Sequence, residues 1–84
     1  MMSKVLANVF VPVLQNDYDF FIPTHINIRL VISIVGKMVF EISSGLFIPD
    51  DSTLLCRRED GTVLDVNASV LTAGIKNGEK LMLI

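Results

Sequence analysis

The sequence predicts an α+β fold in which one helix packs across one face of a mixed sheet of four to five strands. Three observations predict it. Apolar residues alternate over 5–14 and 18–22, which indicates two strands; they recur every three or four positions over 28–42, which indicates a helix. Short apolar runs separated by turns over 53–84 indicate the remaining strands. The predicted order is ββαββ, a short helix and a final strand, within a single domain spanning residues 1–84.

The first two strands are predicted to form an antiparallel hairpin. In Val5–Leu14, every second residue is apolar and mostly β-branched, so this set is the natural core face; it comprises Val5, Ala7, Val9, Val11 and Val13. Gln15–Asp17 has the composition of a turn, and Tyr18–Ile22 alternates again. Pro23 is expected to end the second strand because it has no N–H to donate.

The helix is predicted over Ile28–Ile42, with Asn27 as its N-cap. Its core face is defined by spacing alone and contains the apolar residues at 28, 31, 32, 35, 38, 39 and 42. Gly36 lies inside the helix, where glycine costs about 1 kcal/mol relative to alanine, so close packing is expected there. Ser43-Ser44-Gly45 is expected to end the helix, with Gly45 in a left-handed conformation.

Three apolar residues of this helix fall outside the core face: Leu30, Ile34 and Phe40. For Leu30 and Ile34 there are two interpretations, either burial under the following 46–48 loop or exposure as a ridge that faces a partner. The helical pattern alone does not bury Phe40.

The closing third of the chain is predicted to complete the sheet. We expect Leu54 and Cys56 to point inward, and Leu55 and Arg57 outward. Asp60-Gly61 is typical of a two-residue hairpin turn, after which Val63-Leu64 should form a short strand.

The end of the chain supplies the remaining core positions. Leu71 and Ile75 are the expected apolar anchors of a short helix or turn. In the last strand, we expect Leu81 and Leu83 to point inward, and Met82 and Ile84 outward. The first and last strands should pair in parallel at the centre of the sheet.

Composition excludes several function classes. Seven Lys and Arg against nine Asp and Glu give a net charge of −2 without a basic cluster, which argues against nucleic-acid binding. No apolar stretch reaches the roughly 18–20 residues that span a bilayer, so no membrane insertion is expected. The chain is 51% apolar and only 19% charged. That is more apolar material than so small a core should absorb, and the surplus points to an interface.

No catalytic, metal or cofactor site is expected. A single cysteine, Cys56, excludes an internal disulfide and fits a cytoplasmic setting. We interpret it as a small core residue rather than a nucleophile, because burial raises the pKa of a thiol. His25 has no second histidine or nearby cysteine to share a metal ion. The acidic pairs Asp50-Asp51 and Glu59-Asp60 read as solvated turn residues.

Two stretches of the sequence carry a family resemblance: Tyr18-Asp19-Phe20 leads into Ile22-Pro23, and residues 73–81 have the pattern Ala-Gly-Ile-x-x-Gly-x-x-Leu. The order of elements resembles ubiquitin over almost the whole chain. With these two stretches, it resembles more closely the YukD/EsaB-like family of small ubiquitin-like proteins that accompany type VII secretion systems. It implies a ubiquitin-like β-grasp fold and a non-enzymatic, cytoplasmic accessory or regulatory subunit of a type VII secretion system. The partner that this setting implies is another protein, including a membrane-bound secretion component. The apolar surface of the sheet indicates, apart from the resemblance, an interface with either another protein or a second copy of the chain.

An alternative is a ubiquitin-like modifier or sulfur carrier. Those proteins end in a flexible tail with a Gly-Gly pair, whereas this sequence ends at Ile84 inside the last predicted strand. Such a role would therefore require a C-terminus that this sequence does not contain. A third interpretation, a small enzyme that uses Cys56, is the weakest.

The expected docking surface is the outer face of the sheet, opposite the helix. Ubiquitin presents its partner-binding patch on this face, and the alternation places apolar residues there independently. A fold with one helix cannot cover both faces of its sheet. The predicted partner-binding residues are Leu6, Phe10, Phe21, Leu55, Met82 and Ile84.

Overall fold

The computed structural model describes residues 3–84, so the first two residues of the predicted domain lie outside it. The elements are strands β1 (Lys4–Val11), β2 (Asn16–Pro23), β3 (Leu55–Arg57) and β4 (Glu79–Leu83), and one helix, α1 (Ile28–Ile42). They form a four-stranded sheet in the order β2-β1-β4-β3. β1 and β4 pair in parallel at its centre, and the other pairs are antiparallel, as the sequence predicts.

The first strand of the hairpin, β1, ends earlier than the alternation predicts. β1 stops at Val11, and residues 12–14 form a 3₁₀ turn that begins with proline and ends at Gln15, whose φ is 54°. Because the alternation is lost at this turn, Val13 is 71% exposed instead of lying in the core. Ala7, Val9 and Val11 are buried as predicted.

Helix α1 has the predicted bounds and the predicted cap. The Asn27 side chain accepts a hydrogen bond from the Leu30 N–H at 2.9 Å, which satisfies a backbone donor that has no partner within the helix. Beyond the last turn, Gly45 adopts a φ of +82°, as expected of a left-handed cap.

The core face of α1 is narrower than the pattern predicts. Its buried residues are Ile28, Val31, Val35, Gly36 and Val39, whereas Met38 and Ile42 are 42% and 54% exposed. A Cβ at Gly36 would lie 3.1 Å from the Pro49 Cβ, so the loop after the helix crosses α1 at this glycine.

That crossing decides between the two interpretations of Leu30 and Ile34. The loop packs on the Gly36 side of the helix, and Leu30 and Ile34 each remain 45% exposed. Burial under the 46–48 loop is therefore wrong for both residues. Phe40 is 41% exposed and lies 3.7 Å from the position of a Cβ at Gly45.

In the closing third of the chain, the side chains of β3 point to the faces opposite to those predicted. Leu55 lies opposite the buried Leu83, and residues directly opposite each other in an antiparallel pair point to the same face. Leu55 is therefore in the core, 1% exposed, and Leu54 is 36% exposed. The expectations that Leu54 points inward and Leu55 outward are both wrong. Cys56 is buried as expected, but it lies opposite Met82 and hence on the outer side.

The segments around the two turns also differ from the prediction. Arg57 and Thr62 are joined by a backbone hydrogen bond, so the turn contains four residues, 58–61, rather than two. Only an isolated bridge, between Val63 and Cys56, follows it in place of the predicted strand.

Between β3 and β4, Ile75 is buried as predicted, but Leu71 is 72% exposed and the fully buried Val70 takes its place. This segment is a series of turns rather than a short helix. Arg57 holds it in position, because its guanidinium donates to the Ala73 carbonyl and pairs with Glu79 at 2.9 Å.

Candidate protein-docking surface

The outer face is the side of the sheet opposite α1. Its residues follow from the strand register: Leu6 of β1 lies opposite Phe21, and Phe10 lies beside Met82 of β4. These four residues and Ile84 lie on this face as predicted. Phe21 and Ile84 are 72% and 47% exposed, and the other three are half-buried.

Leu55 does not belong to this surface, because its side chain is buried in the core on the other face of the sheet. The neighbouring Leu54 occupies the corresponding outer position beside Ile84. The backbones of Leu54 and Ile84 exchange two hydrogen bonds, of 2.7 and 3.0 Å.

A row of polar side chains crosses the middle of the outer face. Arg58, the residue after β3, reaches across β4, and its Nη2 donates to Asn8 Oδ1 at 2.6 Å and to the Leu81 carbonyl at 3.1 Å. Asn8 in turn donates to Asp19 Oδ1 at 2.9 Å. The guanidinium also lies over the Phe10 ring, 5.2 Å from its centroid, in a cation–π contact. We refer to these side chains as the Arg58–Asn8–Asp19 row.

The Arg58–Asn8–Asp19 row divides the outer face. Leu6 and Phe21 lie on one side of it, and Met82 and Ile84 lie on the other, with Phe10 partly covered by the guanidinium. The predicted residues therefore do not form one continuous apolar patch. The long apolar and basic side chain of Arg58 covers part of the surface that the alternation leaves open.

The apolar surface continues from Ile84 into a cleft at the end of the sheet. This apolar cleft has a volume of about 410 Å³ and is lined by Pro12, Val13, Leu46, Phe47, Ile48, Leu83 and Ile84. Every lining residue within 3–84 has an apolar side chain. Val13, Leu46 and Ile48 are 71%, 76% and 70% exposed, so three aliphatic side chains project into solvent around one depression.

Sequence reasoning missed these three residues. Val13 is in phase with the core face of β1, and only the 3₁₀ turn at Pro12 removes it from that face. For Leu46 and Ile48, one of the two interpretations of the helix places their loop over Leu30 and Ile34, and neither interpretation places them around a cleft. The available signal was the run of three apolar residues, Leu46-Phe47-Ile48, in a loop; in the structure only Phe47 of the three is buried.

Three titratable groups among residues 3–84 have pKa values that their surroundings shift: Cys56, Asp50 and Asp60. Burial raises the pKa of the Cys56 thiol, which disfavours the reactive thiolate. Hydrogen bonds from Ser52 lower the pKa of Asp50, and hydrogen bonds from Thr62 lower the pKa of Asp60. Both carboxylates accept bonds within their own turns, which is a structural role. Across residues 3–84, no three His, Cys, Asp or Glu residues are grouped closely enough to hold a metal ion.

No protein-family model matches the chain, and no curated protein sequence matches it significantly. Solved structures do match. The ubiquitin of Caldiarchaeum subterraneum is 17% identical, with a TM-score of 0.73 over 98% of this chain and 92% of that one. The ubiquitin-like domain of the Mycobacterium tuberculosis type VII secretion protein EccD1 is 13% identical, with a TM-score of 0.69 over 99% of both chains.

A third match lies within a larger assembly. A chain of the ESX-5 inner membrane complex is 14% identical, with a TM-score of 0.69 over 96% of this chain but only 20% of that one. Among residues 3–84 of the present chain, α1 is too short to cross a membrane and no other helix is a candidate. At these identities the similarity concerns the fold, and the fold of this chain is the ubiquitin-like β-grasp.

Proposed function

We propose that this chain is a non-enzymatic interaction module that docks another protein through its apolar cleft and the adjoining part of the outer face. The single observation that carries the proposal is the cleft itself, in which Val13, Leu46, Ile48 and Ile84 are between 47% and 76% exposed around a depression lined by apolar side chains. Clustered aliphatic exposure of this kind marks an interface, whereas single exposed residues are ordinary.

The biological setting that we propose is a type VII secretion apparatus, with this chain as a YukD/EsaB-like accessory or regulatory subunit in the cytoplasm. Two independent lines support it. The 73–81 pattern resembles that family, and the fold is shared by the ubiquitin-like domain of the type VII secretion protein EccD1 and by a chain of the ESX-5 inner membrane complex. The partner would then be a membrane-bound component of the apparatus.

The predicted residues contribute unequally to this surface. Ile84 borders the cleft directly, and Met82 and Phe10 continue it along the sheet as far as the Arg58 guanidinium. Leu6 and Phe21 lie beyond the Arg58–Asn8–Asp19 row, so we assign them a peripheral role. Leu55 has none.

The test compares two aspartate variants on the surface with one placed elsewhere. Ile48→Asp and Ile84→Asp put a carboxylate into the cleft, and the matched control Leu71→Asp puts one at a 72% exposed leucine of the 69–75 segment. All three should keep the native circular dichroism spectrum. Each protein is expressed in the cells of origin, cross-linked and captured, and the partners are identified by mass spectrometry.

We expect a type VII membrane component to be captured with the native chain and with Leu71→Asp, and to be lost with the two cleft variants. Capture that is unaffected by Ile48→Asp and Ile84→Asp would overturn the assignment of the surface. A covalent adduct at the C-terminus would instead support a modifier and overturn the proposed role.

A further inference from the structure

β2 forms an open edge of the sheet, because the strand order β2-β1-β4-β3 leaves one of its sides without a neighbour among residues 3–84. The register shows which backbone groups are free. In an antiparallel ladder, hydrogen-bonded and non-hydrogen-bonded pairs alternate. The Thr24 N–H donates to the Ser3 carbonyl. Because the pairs alternate, the backbone N–H and C=O groups of residues 16, 18, 20 and 22 also point toward β1. The N–H and C=O groups of Asp17, Asp19 and Phe21 therefore point away from the sheet, a hydrogen-bonding row that an added strand could pair with.

A groove runs along this open edge, between β2 and α1. It has a volume of about 80 Å³, and its floor and walls include Phe20 and Ile22 of β2 and Val35, Ile34 and Met38 of α1. Ile34 and Met38 are 45% and 42% exposed although both are apolar. Leu30, 45% exposed, lies one helical turn before Ile34 and extends the same stripe.

The charges on β2 restrict what the edge can accept. Asp17 and Asp19 are exposed, and β2 contains no Lys or Arg to balance them. Two copies of the chain that paired through β2 would bring four carboxylates into one two-stranded ladder. A strand from another protein with Lys or Arg opposite the two aspartates would instead form favourable cross-strand pairs.

We propose that the open edge of β2 binds an extended segment of a partner protein as an added antiparallel strand. On the side of the groove its alternate residues are aliphatic and contact Phe20, Ile34 and Met38. On the other side its residues are basic opposite Asp17 and Asp19. This site lies at the opposite edge of the sheet from β3, and it is independent of the proposed docking through the apolar cleft.

The probe is the blocked hexapeptide Ile-Val-Ile-Lys-Val-Lys, which in antiparallel register places its lysines opposite Asp19 and Asp17. The control peptide carries glutamate in place of both lysines. Each is titrated into the ¹⁵N-labelled chain, and amide chemical shifts are followed by NMR. We expect saturable shifts of the Asp17, Asp19 and Phe21 amides that exceed those of Tyr18 and Phe20, because only the first three face the added strand.

Two variants make the result decisive. Ile34→Asp introduces a charge into the groove at an exposed position and should abolish binding. Val63→Asp changes a 52% exposed residue beside β3, at the opposite edge of the sheet, and should leave binding unchanged. The native chain should prefer the lysine peptide. The double variant Asp17→Lys, Asp19→Lys should prefer the glutamate peptide instead, and bind it about tenfold more tightly than the lysine peptide.

Three results would overturn the proposal. The first is the absence of saturable shifts up to about millimolar peptide, where weak association is still measurable. The second is a shift pattern centred on Met82 and Ile84. The third is a concentration-dependent shift of the β2 amides in the free chain, which would identify a second copy as the occupant.

Discussion

The stability cost of truncating Leu55 is the most discriminating prediction. It distinguishes the observed orientation of β3, with Leu55 in the core, from the orientation that the alternation predicts, with Leu54 in the core. Leu55 is 1% exposed and lies opposite Leu83, whereas Leu54, the adjacent residue of the same type, is 36% exposed. Truncating a buried leucine to alanine costs about 2–5 kcal/mol. A chain of 84 residues has a total free energy of unfolding of about 4–13 kcal/mol, so Leu55→Ala should remove a large share of it.

Urea unfolding followed by circular dichroism measures this directly. At an m-value of about 1.5 kcal/mol per molar urea, Leu55→Ala should lower the midpoint by about 1–3 M. The matched control, Leu54→Ala, should cost less than about 1 kcal/mol because that side chain is already partly in solvent. Equal losses for the two variants, or a larger loss for Leu54→Ala, would refute the register of β3 against β4.

Two further predictions concern titratable groups. The Cys56 thiol should react with a disulfide reagent at least ~100-fold more slowly in the native chain than in denaturant, because it is buried and its pKa is raised; fast native labelling would reopen a catalytic role. Hydrogen bonds from Thr62 lower the pKa of Asp60 in the folded chain below its ordinary value. The ionised Asp60 carboxylate therefore contributes its full stabilisation when the pH is above the ordinary carboxyl pKa. This stabilisation is lost as the pH falls through the lowered pKa of the folded chain. The stability difference between the native chain and Asp60→Asn, measured by urea unfolding, should therefore shrink below about pH 4; a difference independent of pH would contradict this.

The elements with local signals could be predicted from the sequence. Helix α1 has an apolar stripe, an Asn cap and a terminating glycine, all within a short stretch, and its bounds are as predicted. The predicted parallel pairing of β1 with β4 is confirmed as well by the observed register.

The phase of β3 could not be predicted, for a physical reason. Leu54, Leu55 and Cys56 are three consecutive apolar residues, so both alternations present an apolar residue to the core. A shift of one residue exchanges the two faces of a strand. Only the pairing of Leu55 with Leu83, 28 residues later in the sequence, fixes the choice, and a period-two pattern contains no information about it.

The outer face shows the same limit. Its apolar residues were identified from alternation, and five of the six lie there. The Arg58–Asn8–Asp19 row was not predicted, because Arg58 and Asn8 are 50 residues apart and meet only through the sheet order. A polar side chain that reaches across β4 to β1 is a property of the tertiary structure.

The apolar surplus of the sequence explains why we place function at two surfaces rather than over the whole exterior. An apolar content of 51% exceeds what the small core contains, and single exposed apolar residues such as Leu71 and Val63 need no explanation. Most of the remainder is concentrated. Val13, Leu46, Ile48 and Ile84 surround one cleft, and Leu30, Ile34 and Met38 follow one stripe of α1, with Ile34 and Met38 against the open edge of β2. Random exposure would spread such residues over the surface, whereas docking requires them to be contiguous.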